Sequence, residues 1–135
     1  MGERFEITIR FVKSPDSKGF EDMIEWLCQS LGLVKGRDMD KTSAKIMHCF
    51  LKKVVEKDVV TAEEIAEELK IARSTVIHHL KKYEKAGMIV KIGSKYELRE
   101  RTLEETLQEM ERDVIREFEK LKKVAKKIDD SIFVL

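Results

Sequence analysis

Arg73, Ser74, Thr75 and His78 are clustered, and Lys81, Lys82 and Lys85 follow at once. Together they hold the donors needed to read nucleic acid: an arginine fork suited to guanine O6 and N7, hydroxyl and imidazole groups for bases or phosphates, and ammonium groups for phosphates. Ile77 adds an apolar surface suited to a thymine methyl. Lys91 and Lys95 flank a Gly93-Ser94 pair further on. Residues 70–99 carry eight basic and two acidic side chains, whereas residues 61–69 carry four acidic ones and no basic one. The formal net charge of +1 conceals this segregation. Such a cationic stretch is either a solvated surface or the footprint of a polyanion, and the element that carries it decides which.

Other chemistries find less support. His78 and His79 are adjacent, as are His48 and Cys49, so on a helix their side chains diverge by about 100° and cannot share one metal ion. Cys28 and Cys49 match no zinc spacing and are too few for a secreted disulfide framework, so buried free thiols are expected. A metal held across a dimer by Cys28, His48 or Cys49 is the weaker alternative. No Ser/His/Asp grouping, P-loop or dinucleotide glycine motif occurs. The expectation is therefore no enzyme, no cofactor and no metal.

Hydrophobic periodicity supplies the elements that must position the basic residues. Phe5, Ile7, Ile9 and Phe11 alternate with polar residues, which predicts a strand ending at Ser14-Pro15-Asp16. Ser17 is placed to cap a helix carrying Phe20, Met23, Ile24, Leu27 and Leu31, with Gly32 as its terminator, and residues 33–38 connect it onward. A second amphipathic helix runs from about residue 40 or 42 to residue 57. Thr61 and Glu64 form a capping box that opens a short helix over 62–69. Only Lys70-Ile71-Ala72 separate it from the next helix, on which Val76, Leu80 and Tyr83 share a face and Gly87 ends the run. Two helices joined by three residues predict a helix-turn-helix, and residues 88–92 and 95–99 around Gly93-Ser94 predict a hairpin wing. Ser74, His78, Lys81, Lys82 and Lys85 then point away from the core, with Arg73, Thr75 and Ile77 on the flanks.

Composition bounds the class. A chain of 135 residues with 42% apolar residues can bury a single core. Charged residues reach 39%, against roughly 25% in ordinary soluble proteins, a surplus produced by a long solvated helix or found in proteins from hot environments. No apolar run approaches 18 residues or so, and the first ten residues lack a leader pattern, so a soluble cytoplasmic protein with no membrane contact is expected.

The run from Thr61 to Ile89 resembles the winged helix-turn-helix of ArsR- and MarR-like transcriptional regulators. The resemblance combines the EIAEEL helix at 64–69, the RSTV start and His79-Leu80 of the next helix, the EKAGMI exit at 84–89 and the glycine-turn hairpin, and it covers about 42–99. It implies that the helix starting at Arg73 enters the major groove of double-stranded DNA while 62–69 crosses the backbone. It also implies that Lys91 and Lys95 reach phosphates or the minor groove. One departure is Ala72, where such proteins often carry a capping serine.

From Thr102 a helix is expected to run unbroken to about residue 129. Leu107, Val114, Leu121, Ile128 and Leu135 recur every seven residues, with Leu103, Met110 and Val124 at companion positions and Glu117 and Ser131 as breaks. This coiled-coil pattern predicts homodimerisation. The chain thus divides into an N-terminal strand and helix (1–39), a mainly α winged helix-turn-helix with a small β-hairpin (40–100) and a long dimerisation helix (101–135). The resulting expectation is a homodimeric DNA-binding regulator, with repression the usual mode. The competing reading is a winged-helix module that docks an acidic protein partner or RNA through the same basic face.

Overall fold

The computed structural model describes residues 5–14, 19–34 and 41–133. Five helices and three short strands appear in it: α1 (Phe20–Ser30), α2 (Thr42–Lys57), β1 (Val60–Thr61), α3 (Ala62–Leu69), α4 (Arg73–Lys85), β2 (Ile89–Ile92), β3 (Lys95–Leu98) and α5 (Leu103–Phe133). The sheet is antiparallel in the order β1-β3-β2. The hairpin is closed by two residues, since Ile92 pairs with Lys95. Gly93 alone takes positive φ there (62°), as the first position of a type II′ turn requires. β1 is a two-residue bridge, Val60 lying opposite Tyr96 and Thr61 opposite Lys95.

One core unites the expected segments. Ile46, Met47, Phe50, Val60, Ile65, Val76, Leu80, Tyr83 and Met88 are fully buried, and Ile24, Cys28 and Leu33 join them from the N-terminal side and Met110 from α5. Tyr83 is fixed by more than packing: its Oη donates to the Ser43 carbonyl at 2.8 Å and lies 3.0 Å from Ser43 Oγ. Those bonds satisfy a buried hydroxyl and set the rotation of α4 against α2. At its exit Gly87 takes φ 81°, and the Gly87 and Met88 amides donate to Glu84 O and Tyr83 O at 3.0 Å each, a Schellman end. A side chain at Gly87 would meet Phe5 and Arg99 at 3.2 Å.

The strand expected over 5–11 does not form. This segment lies outside any ladder, and it is held by single backbone bonds to the ends of two helices, Glu6 N to Lys85 O at 2.8 Å and Arg10 N to Ser30 O at 2.7 Å. Carbonyls in the last turn of a helix have no partner within it and accept from any chain that passes, which supplies the segment's hydrogen bonds without a neighbouring strand. Its alternation therefore buries only in part: Phe5 and Ile7 are half-buried, Ile9 and Phe11 exposed. Trp26 Nε1 also donates to Val12 O at 3.0 Å. Gly19 caps α1 without a side-chain bond; Pro15, Asp16 and Ser17 lie outside the described residues, as do 35–40 of the connector and Leu135.

α5 divides into a packed first part and an exposed second part. Its first turns belong to the body: Met110 is 3% exposed, and Leu103 and Leu107 pack on the core. Met110 is thus taken up within the chain and Leu103 and Leu107 in part, so this end of the expected dimerisation stripe packs on the chain's own core. Beyond the half-buried Val114 the helix leaves the body, and Leu121 (59% exposed), Val124 and Ile128 (54% each) stand free of it. Phe118 and Ile132 are exposed on the same side, each four residues beyond a residue of the seven-residue row Val114, Leu121 and Ile128.

Candidate nucleic-acid interface

α3 and α4 owe their relation to local chemistry. Thr61 accepts from the Glu64 amide at 3.2 Å, which starts α3, while Glu64 pairs with Lys57 at 2.8 Å instead of completing the capping box. α3 ends at Lys70, held in the left-handed region (φ 56°), and the 70–72 turn redirects the chain into α4. α4 starts at Arg73 behind Ala72, whose side chain makes no cap, and its first turn has no acid. The helix macrodipole therefore adds positive potential at the end that carries Arg73, Ser74 and Thr75.

Ser74, His78, Lys81, Lys82 and Lys85 lie on the side of α4 opposite Val76, Leu80 and Tyr83, with Arg73, Thr75 and Ile77 on its flanks. Arg73, Ser74, His78, Lys81 and Lys85 are exposed, and Thr75 and Lys82 are half-buried. Ile77 is half-buried and packs against the core, so it widens the buried stripe and offers only part of its surface. Lys91 and Lys95 are exposed on the hairpin, and Lys91 Nζ lies 6.0 Å from the Tyr96 ring centroid. Among the described residues three cations of the 70–99 stretch form ion pairs. Arg73 pairs through Nε with Glu63 on α3, and Lys85 pairs with Glu6 at 3.2 Å. Arg99 is turned inward to Asp113 at 2.6 Å and so does not belong to the outer face.

Sequence reasoning missed the Glu63–Arg73 pair and the Arg99–Asp113 pair. Their members lie 10 and 14 residues apart, at separations set by the fold, so no local pattern announces them. The exposed apolar residues Phe118 and Ile132 were readable in principle, each lying four residues beyond a residue of the heptad row.

Elsewhere the chemistry is quiet. Cys28 and Cys49 are buried thiols outside any disulfide, and burial, reinforced by Glu68 at 3.3 Å, pushes Cys49 up to about 11. Among the described residues no group of three His, Cys, Asp or Glu side chains is arranged to hold a metal ion. No described helix is long and apolar enough to cross a membrane.

Residues 41–91 match the family model described as bacterial regulatory protein, arsR family. No curated protein and no solved structure matches the chain.

Proposed function

From the ArsR-like winged helix-turn-helix that residues 41–91 form, a DNA-binding element of transcriptional regulators, we propose that this chain is a sequence-specific, homodimeric repressor. The observation that carries the reading is the exposed polar and basic row of α4, set on the outer face of a helix-turn-helix whose inner face is buried. α4 lies in the major groove, with Arg73 on guanine and Ser74, Thr75 and His78 on neighbouring bases or phosphates. Lys81, Lys82 and Lys85 meet phosphates, and Lys91 and Lys95 bring the β2–β3 wing to the backbone or minor groove.

Two copies associate through the outer half of α5, where Phe118, Leu121, Val124, Ile128 and Ile132 continue the row that upstream packs on the core. An apolar row of this length facing water favours a partner helix. A dimer needs nothing beyond DNA binding and self-association to repress, because occupying a promoter excludes polymerase. The protein acts where the DNA is, in the cytoplasm, and performs no catalysis. A docking module for a protein partner would need apolar anchors in the α4 row, where polar groups stand instead.

The test is to sequence the genomic fragments that the full chain retains. They should share a dyad-symmetric sequence with half-sites about 10 bp apart or a multiple of it. Retention of fragments with no common sequence would refute the repressor reading.

A further inference from the structure

Arg73 is met by Glu63, and the atom that Glu63 engages decides what remains for DNA. A guanidinium presents five donors in a rigid plane. Here the carboxylate takes Nε, so the two terminal amino groups stay available for an end-on, bidentate contact with guanine O6 and N7. Both side chains are about half exposed, at 58% and 51%. The bond from Arg73, with backbone donation, holds the Glu63 carboxyl below its ordinary value, so it is an anion at neutral pH.

We infer that Glu63 is a positioning residue for base recognition: it holds the Arg73 guanidinium ready for a guanine edge and, as an anion beside the DNA, penalises binding that engages phosphates alone. The inference rests on the DNA-reading role of α4. Two physical effects combine in it. A free arginine loses considerable rotamer freedom when it binds, and a side chain already held by Glu63 has lost part of it beforehand. An acid in the first turn of α3 also approaches the phosphates wherever Arg73 approaches a base, and that repulsion is offset only where the base contact forms. Glu63 thereby separates sites with the right base from sites without it.

The experiment selects bound sequences from a random duplex pool of about 20 bp, two helical turns. It uses the full wild-type chain, Glu63→Gln, Arg73→Ala and the double variant. Wild type should favour guanine at one position of each half-site, and Arg73→Ala should erase that preference. Glu63→Gln should lower it by about two- to fivefold, the range of an exposed ion pair, and leave other positions unchanged. In the Arg73→Ala background Glu63→Gln should alter no position. Glu63→Ala should act in the same direction, and thermal melting should show both variants folded. The inference is overturned if Glu63→Gln keeps the guanine preference, shifts all positions alike, or acts equally with and without Arg73. A wild-type chain that enriches no sequence would instead overturn the DNA-reading role itself.

Discussion

Arg99 donates to both carboxylate oxygens of Asp113, at 2.6 and 3.3 Å, and so ties the end of the wing to the third turn of α5. The same guanidinium reaches Gly87 O at 3.3 Å and covers the Phe5 ring at 5.0 Å from its centroid. The exit of α4, the N-terminal segment and the root of the long helix thus meet at one cation.

Removing that cation should be costly. Both side chains are under 20% exposed, and Arg99→Ala leaves a carboxylate without its main partner in a poorly hydrated place. A loss of about 2–4 kcal/mol is expected, read as a lower urea midpoint with unchanged slope.

The same pair sets an acid limit. Burial alone would raise the Asp113 carboxyl, but the Arg99 bond and charge, helped by Arg116, outweigh it and hold the group below its ordinary value. A depressed carboxyl contributes stability in full above the unfolded value, about pH 4, and loses it as pH falls through the folded one. Stability followed by urea titration from pH 5 downward should decline for wild type, with that component missing in Asp113→Asn.

Truncation is the wrong way to test the dimer, because Leu103, Leu107, Thr106 and Met110 belong to the core of the chain itself. Leu121→Glu combined with Ile128→Glu changes only exposed positions. Sedimentation should show a monomer with an unchanged melting temperature; a persisting dimer would move the interface away from the outer half of α5.

Cys49 should resist modification. With its thiol raised to about 11 by burial first and Glu68 next, the thiolate fraction near pH 8 falls roughly a hundredfold below that of a free cysteine. Alkylation of the native protein should be slow and should accelerate on unfolding. Because the folded value lies above the unfolded one, this group's contribution to stability is lost as pH rises from about 9 towards 11.

Much of the fold was legible because local chemistry set it. Thr61 opens α3, three residues separate α3 from α4, Gly87 closes α4 and Gly93 turns the wing, each through a preference that acts within a few residues. The candidate row on α4 followed from helical spacing once Val76, Leu80 and Tyr83 were assigned inward. Illegible were relations set by tertiary packing: the diversion of 5–11 to the carbonyls of Lys85 and Ser30, the Tyr83–Ser43 bond, and the pairing that turns Arg99 inward. The exposed apolar surface of α5 is wider than the heptad stripe, because Phe118 and Ile132 flank Leu121 and Ile128.

The most direct measurement is the affinity of the full chain for a random-sequence duplex as a function of salt, repeated with Lys95→Ala. A chain that lays α4 and the wing on the phosphates should lose affinity log-linearly, with a slope of several units, and Lys95→Ala should lower that slope by about one. Undetectable duplex binding at low salt, or a slope near zero that Lys95→Ala leaves unchanged, would contradict the account.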